Sequence, residues 1–157
     1  MSQTRKGNQW YFGMKAHIGV DGSSGLVHTV IGTAAKVADI TQLDNLLHGD
    51  EQVVLGDAGY HKKNRTLDSP EPESGPYIVT PYRNTKHRPR TEEERELNRE
   101  LASLRAKVEH PFRVVKRQFG FTKVRYRGLA KNTARLHVLF ALSNLWMARR
   151  QLLVAAG

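Results

Sequence analysis

A β-hairpin near the N-terminus is the feature that most constrains how this chain can fold. In WYFGMKAHIGV, apolar side chains recur at every second position, which is the period of a strand with one buried face. They are Phe12, Met14, Ala16, Ile18 and Val20. The next residues, DGSSG, are typical of a turn, and LVHTVIGTAA supplies the return strand. The fold must therefore contain at least one antiparallel pair of strands.

A short helix and two more strands are predicted in the following segment. Asp39 with Gln42 three residues later resembles a capping box, which would open a helix that ends near Gly49. QVVLGDAGY contains a continuous apolar run, as expected of a strand buried on both faces. Residues 61–75 are polar and indicate a surface helix or loop, and YIVTPY (77–82) is a further strand candidate.

Two helices are predicted in the C-terminal half. Thr91 with Glu94 forms a second capping box and starts a long helix, which Pro111 should kink because proline lacks a backbone donor. After the turn RYRGLAKN, an apolar helix covers roughly residues 133–153. Since strands alternate with helices and the first pair is a hairpin, the sequence predicts an α/β fold with a mixed sheet and flanking helices.

The composition indicates one globular domain. A chain of 157 residues, 39% of them apolar, is long enough to bury a core. It contains no cysteine, which excludes disulfides and thiolate metal sites and fits a reducing cytoplasm. The first residues are polar, so no signal peptide is expected. The richest apolar stretch is too short and too polar to span a bilayer, so no membrane partner is expected.

The positive charge is concentrated in one segment. Residues 1–82 hold 7 basic and 9 acidic side chains, whereas residues 83–135 hold 16 basic and 6 acidic ones. A segment with a net charge of +10 suits a polyanion, so DNA or RNA is the first candidate partner. A basic surface with no polyanion partner is the alternative that composition leaves open.

One acid, Glu109, stands among the cations of this segment. Arg105, Glu109, Arg113 and Lys116 are spaced by four, four and three residues, so they share one face of the long helix. An apolar stripe runs beside them: Leu97, Leu101, Leu104, Val108, Phe112 and Val115. The pattern fits either an ion-pair ladder on a solvated helix face or a catalytic acid beside phosphate-holding cations.

A second acid, Asp57, follows the third predicted strand at its C-terminal end. It lies between Gly56 and Gly59, which would let a backbone or a phosphate approach closely. Ligands bind at this end of the strands in open α/β sheets, although a strand-end aspartate is also a common turn former. Two carboxylates and a basic segment suit phosphoryl transfer, in which the carboxylates hold Mg²⁺ and the cations grip a DNA backbone.

The spacing around Glu109 resembles that of the insertion-sequence transposases of the DDE class, and the resemblance covers nearly the whole chain. That family carries Y-x2-R-x3-E-x6-K around its third acid. Arg105, Glu109 and Lys116 match the motif, and Ala102 stands at its tyrosine position. The segments GNQWYFGMKAHIGVD, RYRGLAKN and LFALSNLWMARR are also similar to this family.

A second motif of the same family, D-x-G-Y around its second acid, is matched by Asp57, Gly59 and Tyr60. The resemblance implies a ribonuclease-H-like fold, with residues 1–157 as a single catalytic domain and 83–135 as its DNA-contacting segment. It implies that Asp57 and Glu109 are catalytic acids that bind Mg²⁺ or Mn²⁺. The cations expected to contact DNA are Arg105, Arg113, Lys116, Arg117 and Lys15. Lys15 is a weaker candidate, like His17, because both also fit ordinary exposed positions on the polar face of the first strand.

The resemblance also implies partners and a location. The expected partner is double-stranded DNA, both as transposon ends and as target, together with further copies of the chain or an intact transposase. The expected location is the bacterial cytoplasm, at the nucleoid.

The family's first acid has no clear counterpart in this chain. It would lie on a strand upstream of WYFGMKAHIG, but the nine residues before Trp10 contain no acid. Asp21 is the only early aspartate, and its place in DGSSG favours a turn role. We therefore expect a transposase polypeptide that lacks its N-terminal part and the first central strand of the sheet.

Three functions stay open at this point. The chain could be a DDE transposase polypeptide, a non-catalytic DNA-binding fragment that interferes with an intact transposase, or a basic RNA-binding protein. RNA binding requires no acids in the arrangement of Asp57 and Glu109, so these residues favour the first two functions.

Overall fold

The computed structural model describes residues 1–57, 60, 75–85 and 88–156. Contacts within the chain group it into two compact units. We call Met1–Ala38 with Lys107–Gly157 the terminal unit, and Asp39–Ala106 the middle unit. Both units combine strands with helices, which confirms the α/β class predicted from the sequence. Most of the predicted surface segment 61–75 lies outside the described residues.

The terminal unit contains an antiparallel sheet of three strands in the order β1 (Ser2–Lys6), β2 (Gln9–Val20) and β3 (Val27–Ala34). β3 pairs with the second half of β2, which confirms the predicted hairpin. β1 pairs with the first half of β2 and is not predicted, since SQTRK has no apolar period. Gly7, at φ 61°, allows the tight turn between β1 and β2.

The core of the terminal unit forms between this sheet and α3 (Leu129–Ala156). Leu136, Leu139 and Phe140 lie on one face of α3 because they are spaced by three and four residues. The buried cluster consists of Val27, Val115, Leu136, Leu139 and Phe140. The ring of Phe112 meets that of Phe140 edge to face, with centroids 5.3 Å apart. Among the described residues no helix, α3 included, has the length and apolar character that crossing a membrane requires.

Four of the five predicted apolar positions of β2 face this core. Met14, Ala16, Ile18 and Val20 pack against the buried cluster, but Phe12 is 66% exposed. The prediction is wrong for Phe12 because this residue lies in the part of β2 that pairs with β1, beyond the part that pairs with β3. The alternating pattern therefore continues further along β2 than the core does.

Polar and close contacts also join α3 to β3. The Asn144 amide accepts a hydrogen bond from the Val27 N–H at 2.9 Å and donates one to the Val27 carbonyl at 2.7 Å. At Gly32 the helix approaches the strand so closely that a Cβ would collide with the Thr133 hydroxyl. The same Cβ would lie 2.8 Å from Met14 Cε. Glycine is therefore required at this position by the packing.

The middle unit contains a 3-10 turn (Asp39–Gln42), α1 (Leu43–Leu46) and two parallel strands, β4 (Val53–Leu55) and β5 (Tyr77–Val79). The short helix and both strands are predicted from the sequence. β4, however, is not buried on both faces, since Val53 is 50% exposed. The prediction is wrong because an apolar run does not reveal how many layers cover a strand. Within the described residues the strands form two sheets, one antiparallel and one parallel, where the sequence predicts one mixed sheet.

The long helix α2 (Glu92–Arg117) starts with the predicted capping box. The Glu94 N–H donates to Thr91 Oγ1 at 3.2 Å, and the Thr91 N–H donates to Glu94 Oε2 at 3.1 Å. The helix continues through Pro111, whose side chain is fully buried. Helix formation around Glu109 is therefore confirmed.

The apolar stripe predicted on α2 is buried only in part. Leu101 and Val115 are buried, whereas Leu97 is 40% and Leu104 is 46% exposed. A polar contact adds to the packing of this helix. Asn98 accepts a hydrogen bond from the Tyr82 N–H at 2.8 Å and donates one to the Tyr82 carbonyl at 3.0 Å. The chain after β5 is thereby fixed to α2.

Candidate active site

Asp57 lies directly after β4, at the C-terminal end of the parallel pair. The Gly56 N–H donates to the Val79 carbonyl at 2.9 Å, which extends the pairing up to the residue before Asp57. The Tyr60 N–H donates to the Asp57 carbonyl at 3.1 Å. The backbone thus holds Asp57 at the strand end, with this residue exposed. Gly59, the glycine of the D-x-G-Y motif, lies outside the described residues.

The side chain of Tyr60 packs against this strand end. A Cβ on Gly56 would lie 3.1 Å from Tyr60 Cβ, so the glycine permits the tyrosine to pack against the backbone. Burial raises the pKa of Tyr60 to about 12, and the negative charges of Asp39 and Asp57 add to the effect. Two carboxylates therefore lie near one phenol in the middle unit.

The sequence does not predict that Asp39 belongs to this cluster. The spacing of Asp39 and Gln42 predicts only a helix cap, and the structure does begin a 3-10 turn at Asp39. Asp39 and Tyr60 are distant in sequence, and the tertiary fold of the middle unit brings them close together. No local sequence pattern predicts this proximity.

Glu109 projects from α2 in the terminal unit and is exposed. Together with Phe112, Arg113, Lys116 and Arg117 it lines an open depression of about 400 Å³. The helical spacing therefore predicts correctly that Glu109, Arg113 and Lys116 share a face. Arg105 lies one helical turn before Glu109 and is half-buried.

The charges of this depression are not paired with one another. Ion pairs of α2 occur near its start: Arg88 with Glu94 at 2.6 Å, Arg95 with Glu92 at 2.8 Å and Arg99 with Glu92 at 3.3 Å. In the part of the chain that the structure describes, Glu109 makes no ion pair, and neither do the three cations that line the depression with it. The geometry therefore does not support an ion-pair ladder around Glu109.

The side chains of Lys15 and His17 both make hydrogen bonds within the protein. The Lys15 ammonium donates to the Val37 carbonyl at 2.9 Å. His17 is only 6% exposed, and its Nε2 lies 2.7 Å from Thr33 Oγ1. The expectation of an exposed position is wrong for His17, because the neighbouring strand β3 supplies a hydroxyl partner on the same face of the sheet.

Asp21 belongs to the hairpin turn, as the sequence predicts. Its Oδ1 accepts hydrogen bonds from the Ser24 hydroxyl and the Ser24 N–H, both at 2.6 Å, and from the Ser23 hydroxyl at 2.7 Å. The bonds from Ser24, followed by that from Ser23, hold the pKa of Asp21 well below its ordinary value. The carboxylate therefore stabilises the turn, which argues against Asp21 as the first acid of a DDE site.

The donor chemistry of the two candidate acids fits a hard divalent cation. Asp57 and Glu109 are both exposed and offer carboxylate oxygens, the ligands that Mg²⁺ and Mn²⁺ prefer. The chain offers no thiolate for a softer metal. Within the described ranges, no three His, Asp or Glu side chains gather into a metal-ligand set. Each of the two acids is therefore a candidate metal ligand.

A protein-family model described as "Transposase DDE domain" matches residues 1–145. No solved structure matches the chain.

Proposed function

Since the chain belongs to the transposase DDE domain family, we propose that it catalyses metal-dependent cleavage and transfer of DNA strands as an insertion-sequence transposase polypeptide. The observation that carries this proposal is the depression around Glu109. An exposed carboxylate there lies beside Arg113, Lys116 and Arg117, and no ion pair within the described residues neutralises any of them. Such an arrangement keeps both the acid and the cations available to a DNA strand.

The acids and the cations have separate tasks in the proposed reaction. Asp57 and Glu109 act as the second and third acids of a ribonuclease-H-like active site. Mg²⁺ or Mn²⁺ held by these carboxylates would activate the attacking oxygen and stabilise the leaving one. Asp21 supports the hairpin turn, so the proposal assigns it no part in the reaction.

The phosphates are held by cations in this proposal. They are Arg105, Arg113, Lys116 and Arg117 on α2, with Lys15 on β2 as a weaker contributor because it already donates to the Val37 carbonyl. Cations are needed beside the acids because two unneutralised carboxylates would repel the phosphate backbone. The DNA is a duplex that provides either the transposon ends or the target, and further copies of the chain or an intact transposase would take part in the assembly.

Metal-linked DNA binding tests this proposal without requiring complete catalysis. Affinity for a labelled duplex is measured with EDTA and then with Mg²⁺, for the wild type and for Asp57→Asn and Glu109→Gln. In EDTA we expect both variants to bind at least as tightly as the wild type, because each loses a charge that repels phosphate. With Mg²⁺ the wild type should gain affinity, and both variants should lack most of that gain.

Matched controls separate this effect from a general change of charge. Asp44→Asn on α1 and Glu93→Gln on α2 remove exposed carboxylates that have no part in the proposed site, and they should keep the wild-type gain. An equal Mg²⁺ gain in Asp57→Asn, Glu109→Gln and the wild type would refute the assigned metal ligands. Absence of any Mg²⁺ gain in the wild type would instead favour the non-catalytic DNA-binding fragment. Cleavage of the same duplex is then measured, and any cleavage should be lost in both variants.

A further inference from the structure

Residues 118–128, between α2 and α3, form a segment that we call the basic loop. It carries Lys123, Arg125 and Arg127, and all three are exposed. From residue 110 to the end of the chain the sequence contains 10 basic residues and no acidic residue. The cations of the basic loop therefore have no acid nearby in sequence that could neutralise them.

The end of the basic loop is fixed by Asn132, which lies in the first turns of α3 and is 0% exposed. Its amide accepts a hydrogen bond from the Tyr126 N–H at 3.2 Å. It also donates to the carbonyls of Tyr126 and Gly128, both at 2.6 Å. A buried amide is costly unless it is hydrogen-bonded, and here both its oxygen and its nitrogen are engaged. The backbone around Arg125 and Arg127 is thereby held in one conformation.

The start of the basic loop is fixed to the end of α2. The Gln118 N–H donates to the Val114 carbonyl at 2.8 Å, and the Phe121 N–H donates to the Val115 carbonyl at 3.2 Å. Gly120, at φ 62°, adopts the left-handed conformation that lets the chain leave the helix here. Both ends of the segment are therefore anchored before any ligand binds.

Arg135 packs against two aromatic rings of the basic loop. Its guanidinium carbon lies 5.9 Å from the ring centroid of Phe121 and 5.5 Å from that of Tyr126. Its Nη1 lies 3.4 Å from the Tyr126 hydroxyl. The side chain thus contacts both Phe121 and Tyr126 and adds a positive charge to this part of the segment.

From these contacts we propose that the basic loop is a preformed phosphate-binding surface for a DNA strand, with Asn132 as its positioning residue. The proposal rests on the proposed function, which supplies DNA as the ligand. A surface whose backbone is already ordered loses less conformational freedom on binding, so its cations bind phosphates more tightly than mobile ones. The basic loop is connected directly to Lys116 and Arg117, so it would extend the cationic surface beside Glu109.

A pair of matched double variants tests the charge of the basic loop. Affinity for a short duplex of arbitrary sequence is measured by fluorescence anisotropy with the full chain, in EDTA and between about 50 and 200 mM salt. Loss of two phosphate contacts should reduce the log–log salt slope by about 1.8, since each contact contributes about 0.9. We therefore expect this reduction for Arg125→Gln/Arg127→Gln. Arg149→Gln/Arg150→Gln removes the same charge from the far part of α3 and should leave the slope nearly unchanged.

Asn132→Ala tests positioning, because it removes no charge. We expect the salt slope to stay at the wild-type value while affinity at every salt concentration falls by about tenfold, since the cations must then be ordered on binding. Far-UV circular dichroism establishes that the variant is folded. If it is not folded, the two double variants decide the proposal.

Equal slopes for the two double variants would overturn the basic loop as a DNA surface, and wild-type affinity in folded Asn132→Ala would overturn the positioning role. Neither result would affect the roles of Asp57 and Glu109, which are tested by the Mg²⁺-linked gain. A wild-type chain that binds no duplex at all would overturn both this inference and the proposed function.

Discussion

Replacing Asn144 by alanine should strongly destabilise the terminal unit. The Asn144 amide makes two hydrogen bonds to the backbone of Val27, at 2.9 and 2.7 Å, and Val27 is a member of the buried cluster. Leaving the buried Val27 N–H without its partner costs about 1–3 kcal/mol, and losing the bond to the carbonyl costs about 1 kcal/mol more. We therefore expect Asn144→Ala to lower the free energy of unfolding by about 2–4 kcal/mol.

Denaturant unfolding followed by circular dichroism measures this loss near neutral pH. A loss of this size is a large part of the roughly 5–15 kcal/mol that stabilises a typical domain. Gln151→Ala is the matched control, because Gln151 is an exposed amide on the same helix. We expect it to change the free energy of unfolding by less than about 0.5 kcal/mol. A loss below about 1 kcal/mol for Asn144→Ala would refute the reasoning, because the orphaned N–H alone should exceed it.

Asn144→Asp adds a pH-dependent test of the same contact. The new carboxylate could still accept from the Val27 N–H but would face the Val27 carbonyl, whereas the protonated acid could donate to it. Folding should therefore raise the pKa of this aspartate above its unfolded value of about 3.9. Because the folded pKa is raised, the variant should be closest to wild-type stability below about pH 4 and lose stability relative to the wild type as the pH rises. If the stability difference between Asn144→Asp and the wild type did not change with pH, this geometry would be contradicted.

Two further predictions concern the middle unit and the contact between α3 and β3. Tyr60 should titrate at about 12, with burial as the main cause and Asp39 and Asp57 as further causes. Since this pKa is raised, the stability that the neutral phenol provides should be present below about pH 10 and lost as the pH rises further. Ultraviolet titration of the wild type, with Tyr60→Phe as the reference, measures this pKa. Asp57→Asn should lower the pKa of Tyr60, whereas the control Asp44→Asn should not. An unchanged pKa in Asp57→Asn would contradict the proximity of Asp57 to Tyr60. Gly32→Ala should lower the free energy of unfolding by about 1–3 kcal/mol, because its Cβ overlaps Thr133 and Met14. Gly13→Ala, whose Cβ meets no atom within 4 Å, is the control in the same unfolding assay, and equal stability of the two variants would contradict the close approach.

Local signals account for the parts of the structure that the sequence predicts. The hairpin of β2 and β3 follows from alternation and a turn, and the start of α2 follows from Thr91 and Glu94. The shared face of Glu109, Arg113 and Lys116 follows from helical spacing alone. Each of these features is decided by residues a few positions apart, which is the range that a pattern can report.

The features that the sequence does not predict depend on distant residues. β1 is polar and is defined by its pairing with β2, and His17 is buried although it occupies the polar positions of an alternating strand. Asp39 lies near Tyr60 only because the tertiary fold of the middle unit brings them together. In the sequence, Asn132 is an ordinary polar residue in an apolar helix. Its hydrogen bonds depend on where the backbone of residues 126–128 lies in the folded chain.

Three helix asparagines each bind both the N–H and the carbonyl of one residue outside their helix: Asn98 at Tyr82, Asn132 at Tyr126 and Asn144 at Val27. These three backbone N–H groups therefore depend on a helix side chain, and not on another strand, for their hydrogen-bond partner. Their amide hydrogens should exchange with solvent only when the asparagine withdraws, so exchange at Val27 and at Tyr126 should follow the local opening of α3. Two segments about a hundred residues apart in sequence would then share one cooperative opening event, whose rate is set by a single helix.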